Sequence, residues 1–284
     1  MDIFEEIQPL KRHIKKAKFE GKTIGFVPTM GALHEGHLSL IRASKKSNDL
    51  TVCSIYVNPT QFNNSEDLEK YPKTLDNDLN LLEEEGCEIV FCPNDQSMYN
   101  GQNGKLEFKF GHLESTMEGK FRPGHFNGVA LIVSKFFNIL QPDKAYFGQK
   151  DLQQFLVIEQ VVKNLYFDLE LVCIPILRES NGLAMSSRNM RIALEDKEKA
   201  LLFYKALIEA KRLIMNKVSV AETKLRVEEL FKGYESVQLE YFHIVDGDTL
   251  EEKHEIRAES SEKVAFCIAG YVGQVRLIDN MFLN

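Results

Sequence analysis

From the N-terminus to about Leu177, short and nearly unbroken apolar runs alternate with segments whose apolar residues recur at helical spacing. The runs Thr23–Thr29, Leu50–Asn58, Cys87–Pro93, Lys144–Gly148 and Leu169–Ile176 predict strands. Their continuous hydrophobicity suits parallel strands covered on both faces. Between them, residues 35–48, 74–86, 124–140 and 150–165 carry apolar residues on one helical face, which predicts helices. Strand and helix in alternation predict an α/β domain, a doubly wound parallel sheet of Rossmann-like type with right-handed crossovers. Its ligand site is expected beyond the carboxyl ends of the strands. After that the pattern changes. Residues 195–216 and 219–233 predict two helices, and 237–247, 263–273 and 274–283 predict three strands in close succession. The chain therefore divides into an N-terminal domain, 1–177, and a smaller α+β C-terminal domain, 178–284.

Of the 284 residues, 44% are hydrophobic and 27% charged, ordinary for a chain that buries a sizeable core. The formal net charge of −7 argues against general affinity for nucleic acid but leaves room for a local basic pocket. Five cysteines form no CxxC pair and mostly lie in apolar runs, the pattern of free thiols in a reducing compartment. No run reaches the roughly 20 apolar residues that span a bilayer, and the first residues lack a signal-peptide core. A cytoplasmic protein without a membrane partner is expected.

Four polar clusters interrupt this pattern. In Ile24–Ser44 an apolar run ends near Val27, and Pro28-Thr29-Met30-Gly31 is followed by His34-Glu35-Gly36-His37 at the start of a helix. A helix N-terminus after a strand offers free N–H groups and a positive dipole end to an anion. Two imidazoles three residues apart share a face and can donate to phosphate oxygens. A pair of surface histidines, or a metal site, would also give this pattern. The HExxH spacing of zinc proteases is missed by one residue, and the GK[ST] ending of a Walker A loop is absent. In the second cluster, Asn58 and Gln61 follow a strand and can recognise hydroxyls or carboxylates, or mark an Asn-Pro turn. The third places Lys150 as a point charge, Asp151 as a helix cap and Gln154 one turn on. In the fourth, Met185-Ser186-Ser187-Arg188 suits a phosphate chain; a serine cap would explain the serines but not Arg188.

Taken in order, PTMGALHEGHLSLI, YVNPTQF, FRPGHFNGV, FGQKDLQQ and MSSRN resemble the motifs of the pantothenate synthetase (pantoate–β-alanine ligase) family along essentially the whole chain. More distantly, the histidine pair and the MSSR loop resemble the HIGH and KMSKS elements of nucleotidyl transferases. The resemblance implies ATP-dependent condensation of D-pantoate with β-alanine, with magnesium, through pantoyl adenylate, releasing AMP and pyrophosphate. It implies His34, His37 and Lys150 as catalytic residues, with His37 the proton donor. It assigns ATP to Met30, Gly31, Ala32, Leu33, His34, Glu35, Gly36 and His37. Further ATP contacts fall on Gly148, Gln149, Lys150, Asp151, Leu177, Met185, Ser186, Ser187 and Arg188. Substrate contacts fall on Gln61, Gln154, Asn58 and Arg122. It also implies a homodimer. Two departures stand out: Gln149 replaces a glutamate common in the family, and Asn77 precedes Asp78 where an acidic pair is common. Metal ligands therefore stay unassigned. The C-terminal domain is expected to act as a lid through residues 185–188. A nucleotidyl transferase releasing a stable nucleotide-linked product, or a regulatory protein that binds ATP without turnover, are the competing readings.

Overall fold

The computed structural model describes residues 1–100, 106–256 and 262–283. The chain forms two compact units. One comprises Met1–Gln149 and Gln153–Pro175; the other runs from Ile176 onward and includes Lys150–Leu152. That three-residue excursion is a feature that a single cut of the chain cannot express.

The N-terminal unit is built on six parallel strands: β1 (Asp2–Phe4), β2 (Ile24–Thr29), β3 (Leu50–Ile55), β4 (Ile89–Phe91), β5 (Lys144–Gly148) and β6 (Glu170–Ile174). Their order is β1-β4-β3-β2-β5-β6. β3 and β4 lie to one side of β2, and β5 and β6 to the other, so the winding reverses between β2 and β5. Ligands bind at such switch points, outside the carboxyl ends of the strands. The chain leaves β2 into Met30–His37 and leaves β5 into Gln149, which brings the first polar cluster to this point.

The first strand was not predicted: three residues, Asp-Ile-Phe, carry no readable period. β2 runs through Pro28 to Thr29, within the predicted run Thr23–Thr29 and past the end near Val27 expected from the proline. Proline has no N–H for a ladder. Pairing with β5 ends at Phe26↔Ala145, while pairing with β3 continues to Thr29↔Ile55. Pro28 therefore falls where β2 has a paired neighbour on one side.

The sheet buries Phe26, Val52, Ile89 and Phe91 against the apolar helix His125–Leu140. Phe136 and Phe137 meet the Phe26 ring edge-on, with centroids 5.5 and 6.4 Å away. Edge-to-face pairs of this kind add about 0.5–1.5 kcal/mol beyond burial.

The C-terminal unit is an antiparallel sheet of β7 (Val237–Asp246), β8 (Val264–Val272) and β9 (Val275–Phe282). Helices Lys197–Met215 and Val220–Glu229 cover it, burying Phe203, Leu207 and Val227. Among the described residues, no helix is long and apolar enough to cross a membrane.

Candidate active site

After β2 the chain turns on Gly31, whose φ is +79°. A side chain there would be strained, and its Cβ would lie 2.9 Å from an Asp78 carboxylate oxygen. Ala32, also left-handed at φ +50°, follows. The helix Glu35–Ser47 then begins, with His34 at its N-cap. The His34 ring accepts from the Gly36 N–H at 3.1 Å through Nδ1, and the His37 ring accepts from the His34 N–H at 3.4 Å through Nδ1. This is a reciprocal capping box made of two imidazoles in place of serine and glutamate. A neutral ring that accepts at Nδ1 carries its proton on Nε2. Both histidines are thus set as Nε2–H donors, with ring centroids 4.1 Å apart.

The same contacts correct one expectation. The N–H of Gly31 is accepted by Thr29 Oγ1, those of Ala32 and Leu33 by Asp78, and that of His37 by the His34 carbonyl. With His34 and Gly36 capped by imidazoles, the loop does not present a row of free amide N–H groups. What it turns toward an anion is a helix dipole end flanked by two imidazole rings. Within the same stretch, Glu35 is held on the surface by Arg42, and this pairing lowers its carboxyl pKa.

After β3, Pro59–Gln61 forms a single 3-10 turn. Asn58 is buried and fully engaged. Its amide donates to Gln61 Oε1 at 3.2 Å and to the Gly128 carbonyl at 3.1 Å, and its oxygen accepts from the Tyr99 and Thr60 hydroxyls. Its structural effect is to orient Gln61, which differs from the direct contact expected of it. Gln61 in turn points its Nε2 at Met30 Sδ, 2.8 Å away. The Gln61 carbonyl accepts from His125 Nδ1 at 2.8 Å. His125 is therefore protonated on Nδ1, so its Nε2 accepts from Arg122 Nη1 at 3.1 Å, and Arg122 lies 3.7 Å from Glu118. His125 stands in the FRPGHF motif, yet only Arg122 was singled out there. A buried histidine facing a carbonyl 64 residues away leaves no local signature.

Gly128 makes this arrangement possible. A Cβ there would sit 2.4 Å from the Thr60 carbonyl oxygen and 2.6 Å from Gln61 Cα. Alanine is ordinarily better than glycine in a helix by about 1 kcal/mol. Here the colliding atoms are backbone, so overpacking at about 1–3 kcal/mol reverses the sign. Gly128→Ala is expected to destabilise the N-terminal unit in urea denaturation; equal or higher stability would show that the turn yields freely.

Gly148 closes β5 with an ordinary φ, and a Cβ there would meet nothing within 4 Å. The fold itself places no demand for glycine at this position. Gln149–Asp151 is a 3-10 turn that runs directly into the helix Leu152–Leu165, and the exposed Asp151 is the last residue of that turn. Gln154 is half-buried one turn on. Its neighbour Gln153 is structural: it accepts from the Glu118 N–H and donates to the Leu113 and Thr116 carbonyls.

In the C-terminal unit the Lys150 carbonyl accepts from Asn280 Nδ2 at 3.0 Å. Leu177 is exposed, and Met185 is half-buried beyond the Arg178↔Ala184 bridge. Ser186 caps the 3-10 turn Ser187–Arg191 by accepting from the Arg188 N–H at 3.2 Å; Ser187 is buried and Arg188 half-buried. The serine cap thus accounts for Ser186 and leaves Arg188 without that explanation. Arg178 anchors the segment. Its two terminal nitrogens contact Asp279 at 2.7 and 3.0 Å, and its guanidinium lies 4.4 Å from the Tyr204 ring centre.

Three of the five thiols are held in their protonated form, which makes them poor nucleophiles. Burial pushes Cys53 well above the usual range, Cys87 to about 12 and Cys92 to about 11. Cys173 differs from the buried reading, since it is exposed on the edge strand β6.

The pantoate-beta-alanine ligase family model matches residues 2–282. The chain is 46% identical to the pantothenate synthetase of Cytophaga hutchinsonii, over 98% of this chain and 97% of that one. The crystal structure of pantothenate synthetase from Thermus thermophilus superposes with a TM-score of 0.92 at 37% identity, covering 100% and 99% of the two chains. The pantoate-beta-alanine ligase of Francisella tularensis, complexed with beta-gamma ATP and beta-alanine, gives 0.82 at 32%, covering 100% and 98%. With residues 2–282 matched by the family model and 46% identity to a curated relative along almost its whole length, the chain belongs to the pantoate–β-alanine ligase family.

Proposed function

We propose that this chain uses ATP to join D-pantoate to β-alanine through pantoyl adenylate. A pantoate carboxylate oxygen attacks the α-phosphorus, and the bond to the bridging oxygen breaks to release pyrophosphate. The β-alanine amine then attacks the acyl carbon, the carbon–oxygen bond to AMP breaks, and the amine loses a proton as the amide forms. The observation that carries this reading is the imidazole capping box. It holds two Nε2–H donors at the carboxyl end of β2, beside the sheet's switch point. Donors fixed in advance stabilise charge that grows on phosphate oxygens without reorganising.

In this reading Met30–His37 and Gly148–Gln149 meet the nucleotide from the N-terminal unit. By the family resemblance, Lys150, Asp151, Leu177 and Met185–Arg188 are its contacts in the C-terminal unit, with residues 185–188 as a lid. Gln61 and Gln154 bind pantoate. Arg122 is a further substrate contact by the resemblance, and Asn58 acts on substrate through Gln61, the residue it holds. A homodimer is the assembly the resemblance implies, and the cysteine pattern suits the cytoplasm.

Magnesium enters with ATP. Each Asp78 oxygen already accepts a backbone N–H, and the preceding residue is the amide Asn77. Among the described residues, no group of three or more His, Cys, Asp or Glu is placed to hold an ion. The phosphates are the ion's partners in this reading, and its ligands on the protein stay unassigned.

Incubation with ATP, magnesium, D-pantoate and β-alanine should give pantothenate and AMP in equal amounts. A stable nucleotide-linked product would favour a nucleotidyl transferase, and ATP binding without turnover a regulatory role.

Gln61 supplies a sharper expectation. In the free protein its Nε2–H faces a thioether sulfur, a weak acceptor. A pantoate hydroxyl or carboxylate oxygen is a better one and should displace it. Gln61→Ala is expected to raise the pantoate KM about 10- to 100-fold, the scale of a hydrogen bond to a charged or well-buried partner. ATP binding should change little. An unchanged pantoate KM would remove Gln61 from the site.

A further inference from the structure

Asp78 is the most buried carboxylate near the site, 1% exposed. It lies in the first turn of the helix Leu75–Glu84, where the dipole favours a negative charge. Its oxygens accept the Ala32 and Leu33 N–H groups at 2.9 and 2.8 Å, across more than forty residues of sequence. The Thr74 hydroxyl donates to the same carboxylate at 3.1 and 3.2 Å. Neighbouring Asp76 and Asn77 are exposed and take no part.

Two adjacent amide N–H groups after a left-handed glycine form the kind of concavity that takes an anion. Here the protein fills it with its own carboxylate. Ala32 would not hold φ +50° unaided, since that conformation is costly for a residue with a Cβ. Two charge-assisted hydrogen bonds supply the compensation. Two residues along is His34, the cap that fixes the His37 ring.

We infer that Asp78 is a positioning residue that latches the Gly31–His37 loop and so sets the height of both imidazoles, with Thr74 holding the latch. The catalytic part of this inference rests on the adenylate-forming reading above.

The test uses Asp78→Asn, which keeps the shape but turns an NH2 toward one backbone N–H, and the pair Thr74→Val and Thr74→Ser. Pantoate-dependent pyrophosphate release per folded molecule should fall about 10²-fold in Asp78→Asn, the scale of a roughly 1 Å misplacement of reacting groups. Thr74→Val should lose about 3- to 10-fold, the scale of one hydrogen bond, and Thr74→Ser should recover most of it. The magnesium dependence should not move in any variant. Recovery of Asp78→Asn by excess magnesium would overturn the inference in favour of a metal ligand. Wild-type rates in Asp78→Asn would overturn it too. If Asp78→Asn does not fold, the threonine pair decides: equal rates for Thr74→Val and Thr74→Ser sink the latch. Amide exchange at Ala32 and Leu33, read without substrate, separates the latch from the functional reading. Slow exchange in the wild-type chain that quickens in Thr74→Val supports the latch whatever the reaction, and fast exchange in the wild-type chain refutes it.

Discussion

Replacing His37 with alanine is expected to lower turnover about 10²–10³-fold, which corresponds to the ~3–4 kcal/mol lost with one preorganised transition-state donor. The expectation follows from how the ring is held. Nδ1 accepts the His34 N–H, so the proton sits on Nε2 whenever the ring is neutral. The Nε2–H can then be offered to an α-phosphate oxygen as charge builds on it. The same contact gives His37 a structural share that the sequence did not suggest. Alanine removes an acceptor from the helix N-terminus, at a cost of about 1 kcal/mol. A control is needed to separate the two effects. His37→Asn keeps an acceptor close to where Nδ1 stood and has nothing in place of Nε2. Thermal unfolding should therefore place Asn nearer the wild-type chain than Ala, while kcat for both stays low. Normal turnover in His37→Ala would end the assignment. Restored turnover in His37→Asn would show that capping, not proton donation, is what the ring supplies.

The strands that line the site were readable because buried parallel strands are nearly all apolar and so stand out from flanking helices. Val52-Cys53 and Ala145-Tyr146-Phe147 need no partner in view to be recognised. β1 was not readable, because Asp2–Phe4 becomes a strand only by pairing with Ile89–Phe91, far along the chain. The histidines could be found as residue types at a helix start. Their mutual capping could not, since histidine is an uncommon cap and the spacing three apart allows several geometries. Asp78 was visible only as one member of an acidic stretch in YPKTLDNDL. What distinguishes it from exposed Asp76 is the direction it faces, and that is set by tertiary packing against the β2 loop. Gly128 shows the same limit. Within an apolar helix it reads as a weak helix former, and only the backbone at Thr60 and Gln61 explains it. Local pattern thus carried the fold and the residue types of the site. Contacts across tens of residues, which decide what each polar group has left to offer, required the structure.

Lys150→Ala is expected to slow pantoyl adenylate formation by about two to three orders of magnitude, as for other lost donors to developing negative charge. Amine attack on supplied adenylate should be much less affected. The asymmetry follows from where charge moves. In the first half-reaction the bond from the α-phosphorus to the bridging oxygen breaks, and negative charge accumulates on the departing pyrophosphate. A compact ammonium can follow that charge. In the second, the leaving group is AMP and no pyrophosphate is made. Lys150 lies in the 3-10 turn Gln149–Asp151, and its carbonyl is held by the Asn280 side chain. That anchor uses the main chain, so truncating the side chain leaves the turn in place. Lys150→Arg adds a second arm to the test: it keeps the charge but offers a planar fork in place of a point, and should recover only part of the adenylation rate. The measurements are pyrophosphate release in single turnover and pantothenate formation from synthetic pantoyl adenylate. Equal slowing of the two half-reactions in Lys150→Ala would mean that the lysine shapes the site as a whole. A wild-type rate of pyrophosphate release would mean that the charge on the leaving group is met by other residues.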